Sequence, residues 1–423
     1  MKAVLILAAL TGCAQIDPFH CDGDEQCSGG RCEAAGACSF VDTGCHTGWR
    51  YGARDDAALA GLCVGSEAGS IAQIAAGSEH ACAHGSDGRV WCWGNDKYGG
   101  LGRDGDSVAA PVIVDGVTGV TELDAGEFHT CALAGDQVWC WGADAQGELG
   151  RGDATDAPVP EPSLVTGLAR VVDLDLGEYH SCALDADGAV WCWGRNKDEE
   201  IGQDNASYQW HAVRVNVPTA KAIAAGGQEG CAIATTGDVW CWGKNDSGQL
   251  GVPGNGRTKP TMVPGFTGAT ALAIGGDHAC ALFADGHVAC TGANDHGQLG
   301  DGTTTMAHAP VDVVGLGDAV EIEALDNSTC ARRANGSIVC WGEGDHGELG
   351  AGGADRATPG DAVPLAAPAI SLAAGESFAC AITNDGCSWC WGLDTAGELG
   401  DGPGSPGGVR PVLLGACNAP LSP

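Results

Sequence analysis

The sequence predicts an all-β fold, a seven-bladed β-propeller preceded by a small disulfide-rich N-terminal segment. Three observations carry this: a unit repeated seven times, one cysteine pair per unit that must meet across a hairpin, and strands that are apolar on both faces. The composition agrees with it. Hydrophobic residues form 44% of the 423 residues but aromatic ones only 5%, and 70 are glycine. That is the profile of short aliphatic strands between frequent turns rather than of helices.

From about Gly69 to Gly415 the chain repeats itself with a period of about fifty residues. The first cysteine of each unit is Cys82, Cys131, Cys182, Cys231, Cys280, Cys330 or Cys380, and the second is Cys92, Cys140, Cys192, Cys241, Cys290, Cys340 or Cys390. The first unit offers four short strands between turn signals, within Ile74 to Ala83, at Val90-Trp91-Cys92-Trp93 and at Pro111-Val112-Ile113-Val114, with Gly99-Gly100-Leu101-Gly102 between the last two.

Antiparallel partners have residue numbers that add to a constant. Cys82 and Cys92 have Asp87 as their midpoint, so they face each other across the loop Ser86-Asp87-Gly88, with Gly where a positive φ is needed. The second unit is a natural control: Cys131 and Cys140 are one residue closer, and their midpoint falls on the two-residue loop Gly135-Asp136. The loop shortens and the cysteines stay opposite. Opposed Cα atoms lie within disulfide range, so seven cross-strand disulfides are expected. Alternation puts Cys82, Val90 and Cys92 on one face and Ala81, Ala83, Trp91 and Trp93 on the other, so both faces need burial. A small sheet covered on both sides by copies of itself is a propeller blade.

The remaining chain divides around this domain, taken as 67–417. Lys2 followed by the apolar run from Ala3 to Leu10 is too short to span a bilayer and reads as an export signal, 1–12. Leu10-Thr11-Gly12-Cys13 resembles the lipobox of bacterial lipoproteins, which implies a lipid anchor on Cys13 and, with Ala14 rather than Asp next, the outer membrane; the alternative is an ordinary signal peptide cleaved near Ala14. In the Cys-rich segment 13–66, Cys21, Cys27, Cys32 and Cys38 recur without the close C-x-x-C pairs that zinc prefers, so disulfides are expected, in any of three pairings. Cys45 with Cys63 and Cys387 with Cys417 compete with a Cys63–Cys417 bridge that would lock the ring. Residues 418–423 form a tail. The 23 cysteines point to an oxidising compartment.

With Ala-Gly-x-x-His-x-Cys-Ala-Leu, Val-Trp-Cys-Trp-Gly and Gly-Gln-Leu-Gly in view, the chain resembles the regulator-of-chromosome-condensation repeat family over about residues 69 to 415. The resemblance implies a ring closed by strands from both chain ends, Pro411 to Leu414 completing the blade begun by Ile71 to Ala76. Individual units drift: Glu229, Ser328 and Phe378 stand where the motif has His, and Thr291 where it has Trp. The resemblance also brings nucleotide exchange on a small GTPase as an alternative function. Against that alternative stand the export signal and the narrow variation of unit spacing, which leaves no room for a wedge-like insertion.

With 55 acidic against 20 basic residues, a net charge of -35, nucleic acid is not an expected partner, and the membrane is met only through the anchor. No cofactor or metal is implied: His80, His129, His180 and His278 occupy one equivalent position in different blades and do not converge. Asp185-Ala186-Asp187-Gly188 resembles a calcium loop but lacks the remaining ligands. The Asp-Gly-x-Val-Trp stretches resemble the Asp-box of sialidase propellers, making a glycan-binding propeller a further alternative, although basic residues to grip an acidic sugar are scarce. No motif of a hydrolase, metalloprotease or phosphate-binding loop occurs. The expectation is a monomeric, non-enzymatic scaffold of the cell envelope that binds a protein or other macromolecule through variable rim connectors, with Tyr208 and Trp210 as anchors.

Overall fold

A computed structural model describes residues 71–412 and 414, apart from 205–207, 255, 351–352 and 403–407, together with the backbone of three short strands between residues 31 and 51. The chain forms two compact units, one comprising 1–69 and 414–423 and the other 70–413. In the first, Arg31–Cys32, Cys38–Val41 and Trp49–Tyr51 make an antiparallel meander in which Cys32 stands opposite Cys38. Cys13, Cys21, Cys27, Cys45, Cys63 and Cys417 lie outside the described residues. Cys387 is disulfide-bonded.

The second unit is a ring of seven small antiparallel sheets. Blade 1 comprises Ile71–Ala76, His80–Gly85, Val90–Gly94 and Val108–Ile113, paired in chain order. The first strand of each blade lies nearest the axis and the fourth lies outermost. Blade 6 departs from the pattern. After Ile338–Gly342 its fourth strand is reduced to a single bridge between Gly342 and Arg356, because the stretch that follows carries Pro359, Gly360 and Pro364, which break a ladder.

Hairpin register follows the midpoint rule. Cys82 pairs Cys92 and His84 pairs Val90, with Gly88 at φ 75°, whereas in blade 2 Gln137 pairs Ala134 directly across Gly135-Asp136. All seven pairs of cysteines are bonded, with Cα atoms 4.0 to 4.1 Å apart. Their sulfurs belong to the interblade core: Cys82 and Cys92 pack with Leu101 and Val114 against Leu123, Ala132 and Trp141 of the next blade. The glycine that ends each Trp-Cys-Trp-Gly run is required by conformation and space together. At Gly94 φ is 104°, and a Cβ would lie 2.5 Å from the Glu79 carbonyl oxygen.

The closure of the ring corrects one expectation. Arg410–Pro411 pairs with Trp389 and Cys390, and Val412 donates its N–H to the Ser388 carbonyl, so the last strand completes blade 7 and not blade 1. Blade 1 already owns a fourth strand in Val108–Ile113, and each blade is cut from one continuous repeat. Contacts between blades close the circle instead: the Trp93 indole N–H donates to the Glu398 carbonyl at 2.8 Å, and the Gly402 N–H to the Ala109 carbonyl at 2.9 Å.

Candidate functional site

The Trp93–Glu398 bond is one of a series. Trp141, Trp193, Trp242, Trp341 and Trp391 each donate at 2.7 to 2.9 Å to the carbonyl before Leu, or Ile in one unit, in the preceding blade's Gly-x-Leu-Gly run. In blade 5, Thr291 replaces the indole with a hydroxyl that donates to the Gly248 carbonyl at 3.0 Å, so a donor is kept where the aromatic ring is lost. The histidines act the same way. His80 bonds Thr130, His129 bonds Ser181 and His278 bonds Thr329, all across blade junctions at 2.8 to 2.9 Å. Glu229, Ser328 and Phe378 stand where the following blade offers Ala279, Ala379 or Ala81 instead of a hydroxyl. The drift in the motif is therefore largely paired: three of the four histidines bond a hydroxyl of the next blade, whereas His180 faces Gly230, which offers none.

Tyr208 and Trp210 are 45% and 47% exposed. Their setting differs from a free loop: Trp210 belongs to the outermost strand of blade 3, Gln209–Arg214, and its ring lies over Gly147 of blade 2, where a Cβ would come within 2.7 Å of it. Ala109, His308 and Ala357 fill the equivalent place against Gly397, Gly248 and Gly297. The pair thus sits on the outer circumference at a blade junction, with about half of each ring free.

The most distinctive site is one that the sequence reading passed over. The channel-facing positions of the innermost strands carry Glu122 and Asp124 in blade 2, Asp173 and Asp175 in blade 3, and Glu321 and Glu323 in blade 6, against small or neutral residues in the other blades. Innermost strands have a free edge. Carboxylates at these positions reach across to it: Glu122 accepts from the Leu174 N–H at 3.0 Å, Asp124 from Leu176 at 2.6 Å and Glu321 from Leu372 at 3.2 Å, and in blade 1 the Gln73 amide oxygen does the same for Leu123 at 2.9 Å. The signal was present as acids alternating with apolar residues in Glu122-Leu123-Asp124, Asp173-Leu174-Asp175 and Glu321-Ile322-Glu323.

These strands enclose an axial cavity of about 250 Å³, and Glu127, Glu178, Asp326 and Glu376 join Asp124, Asp175 and Glu323 in lining it, with no Lys, Arg or His among the lining residues. A second cavity of about 220 Å³ shares Glu178 and Tyr179 with the first and is walled by Tyr98, Phe128 and Pro158. Among the described residues no three His, Cys, Asp or Glu side chains come close enough to share a metal ion.

Burial, with carboxylates facing one another, raises the pKa of these groups: Glu127 to about 7, Asp326 to about 6, and Asp175 and Glu323 well above the usual range. Desolvation moves His80, His180 and His278 down to about 4 and His129 to about 3. The two sets pull stability in opposite directions. The folded state binds the extra carboxyl protons, so that contribution is fully present below about pH 4 and lost as pH rises through 6 to 8; the neutral histidines add stability only as pH rises to about 6.5. Above pH 6.5 the carboxyls act alone, with Arg195, Lys244 and Arg332 the cations nearest to them. The melting temperature is therefore expected to fall between pH 6.5 and 8.5 at constant ionic strength, measured by calorimetry. A flat or rising profile would contradict the assignment.

Residues 46–365 match the RCC1-like domain, and residues 369–398 match the regulator of chromosome condensation (RCC1) repeat. The chain belongs to the RCC1-like domain family. Among relatives of this RCC1-like protein, Protein pim1 of Schizosaccharomyces pombe is 28% identical over 188 residues, which are 38% of this chain and 34% of pim1. The human E3 ubiquitin-protein ligase HERC2 is 30% identical over 153 residues, 34% of this chain and 3% of HERC2. The chain thus spans about a third of the first and a small part of the second. Human WBSCR16 superposes with a TM-score of 0.69 at 20% identity, covering 75% of this chain and 88% of that one. Prp20p from Saccharomyces cerevisiae gives 0.67 at 22%, covering 75% and 84%. These two likenesses concern the RCC1-like fold.

Proposed function

We propose that this RCC1-like propeller is a non-enzymatic binding scaffold of the bacterial cell envelope, exported by its N-terminal apolar run, held at the outer membrane by a lipid on Cys13, and engaging a macromolecular partner through its rim. The observation that carries the reading is Tyr208 and Trp210. Two large aromatic rings stay half exposed on a scaffold whose other indoles are mostly buried, Trp210 on the outermost strand of blade 3 and Tyr208 next to the start of that strand. Aromatic anchors held rigidly bury large area at small entropic cost when a partner covers them. In support of binding rather than nucleophilic chemistry, His80, His129 and His278 and their hydroxyl partners Thr130, Ser181 and Thr329 are engaged in blade junctions.

Cross-linking of the full chain in its native envelope, followed by affinity recovery and peptide identification, tests this. A specific partner is expected with the wild-type protein, with recovery reduced about tenfold or more when Tyr208 and Trp210 are both changed to Ala, as for an interface hot spot. Equal recovery with the double variant would overturn the rim assignment, and fractionation of the protein with the cytosol would overturn the envelope assignment.

A further inference from the structure

The outermost strand of a blade ends its sheet and leaves a free edge, and a proline blocks that edge in every blade but the third. In blade 3, Val213 pairs with Cys192 and the Val215 N–H donates to the Val190 carbonyl at 2.9 Å, so by alternation the N–H groups of Ala212 and Arg214 point away from the sheet. The counterpart of Ala212 is the residue before the one that faces the blade's second cysteine. It is Pro111, Pro162, Pro260 and Pro310 in blades 1, 2, 4 and 5. In blade 6 it is Pro359, before Gly360, whose N–H donates to the Cys340 carbonyl at 3.1 Å. Blade 7 has Pro411 opposite Trp389, where blade 3 has Arg214 opposite Trp191. A proline at either place removes an outward donor and denies the edge to another strand. Of the seven blades only blade 3 keeps both donors.

The bare edge coincides with the exposed aromatic pair and with a cation that the fold leaves unpaired. Gln209–Arg214 contains no acid, and Trp210, His211 and Arg214 are exposed on it. The other outermost-strand cations are neutralised within the fold, Arg257 by Asp198, Lys259 by Asp204 and Arg410 by Asp401. Arg214 has no ion pair among the described residues, while its carbonyl accepts from the Gln203 side chain at 2.8 Å, which fixes the end of the strand. A charge on an edge repels a like-charged strand and opposes an apolar one, but it admits an acidic one. A second copy of this chain is a poor fit, since each copy carries a net charge of -35.

We infer that the outermost edge of blade 3 takes up an extended, acidic segment of a partner protein as a fifth strand. The Ala212 and Arg214 N–H groups donate to the backbone of the segment, the Ala212 carbonyl accepts from it, and the Arg214 guanidinium meets one of its carboxylates. Tyr208 and Trp210 cover its apolar side chains. In this mode of recognition main-chain bonds supply affinity and side chains choose the sequence. The inference rests on the reading of the rim around Tyr208 and Trp210 as the binding surface, and adds the form and charge of what binds there.

Fluorescence anisotropy of a labelled, capped peptide, Thr-Val-Glu-Val-Glu-Val-Thr, titrated with the full, oxidised chain tests the inference. The same peptide with Lys for both Glu, and with Pro for the central Val, serves for comparison. Saturable binding is expected for the acidic peptide only. Ala212→Pro is expected to weaken it about tenfold or more through loss of a backbone hydrogen bond. Its melting temperature is expected to stay close to that of the wild type, because the equivalent position is already proline in five blades. Arg214→Glu is expected to shift the preference to the lysine peptide, and Lys221→Glu, the same reversal on an innermost strand, to leave binding unchanged. Hydrogen exchange reads the backbone directly: the Ala212 and Arg214 amides are expected to slow about tenfold or more with the acidic peptide bound, whereas Val213 is protected throughout. No saturable binding, equal affinity in Ala212→Pro and wild type, or self-association of the chain that Ala212→Pro abolishes would overturn the inference. Loss of the native partner on changing Tyr208 and Trp210 to Ala, with undiminished recovery in Ala212→Pro, would overturn strand addition and leave the rim reading standing. Undiminished recovery in both variants would overturn the rim reading as well.

Discussion

Refolding under reducing conditions is expected to leave the propeller unfolded or to lower its unfolding free energy by several kcal/mol. Each bridge closes a loop of 9 or 10 residues within one hairpin, which by loop-closure entropy is worth about 2.7 kcal/mol. Half of that value, taken seven times, is still comparable to the net stability of about 5 to 15 kcal/mol of an ordinary domain. The blades need this support because they are thin: innermost strands such as Ile71–Ala76 are built of Ala, Ile and Gln, and the large apolar mass comes mainly from one indole at six of the seven junctions, with Phe266 in the core between blades 4 and 5. The cysteines are almost completely buried, so reductant added to the folded protein meets them only when a blade opens. The informative comparison is therefore equilibrium denaturation after refolding with and without reductant. A single pair removed, Cys82→Ala with Cys92→Ala, is expected to cost about 2 to 3 kcal/mol. Equal midpoints with and without reductant would show that packing alone suffices.

What was legible in the sequence was everything with a local period. The midpoint rule placed Cys131 opposite Cys140 in spite of the shorter loop, because hairpin register is fixed by turn length alone. Ring closure was not legible in the same way: Arg410–Pro411 follows its own hairpin, and the resemblance suggested an exchange between chain ends that the fourth strand Val108–Ile113 leaves no room for. The acidic channel was partly legible. The alternation Glu321-Ile322-Glu323 says that one strand face is polar, but only the ring tells which strands share an axis, and only the neighbouring strand shows that Asp124 bonds the Leu176 N–H. Likewise Trp210 read as a connector residue because nothing local marks the start of an outermost strand, whose pairing with Trp191 to Gly194 is set from the preceding strand.

Trp93→Ala is expected to destabilise the protein by about 3 to 5 kcal/mol, the range for truncating a large aromatic side chain in a packed core. The indole is fully buried at the junction of blades 1 and 7, its N–H is bonded to the Glu398 carbonyl, and Gly400 gives it space, since a Cβ there would lie 2.7 Å from the ring nitrogen. The same bond at the junction of blades 3 and 4, Trp242 to the Glu200 carbonyl, is backed by a continuous chain that runs from one blade into the next. No peptide link spans the junction of blades 7 and 1. Truncation there removes the side-chain hydrogen bond that helps hold the two ends of the propeller together, leaving only backbone bonds such as Gly402 to Ala109 and Glu376 to Gly77 and the contact between Ser78 and Glu376. Two variants separate packing from hydrogen bonding. Trp93→Phe keeps most of the ring and orphans the carbonyl, for an expected loss of about 1 to 3 kcal/mol, and Trp242→Ala reports the cost of the same truncation inside the continuous chain. Denaturant unfolding measures all three, and limited proteolysis reads opening directly: earlier cleavage near the chain ends is expected in Trp93→Ala and not in Trp242→Ala. A loss below about 1 kcal/mol in Trp93→Ala, or the same proteolytic pattern in both alanine variants, would mean that closure of the ring does not depend on this indole.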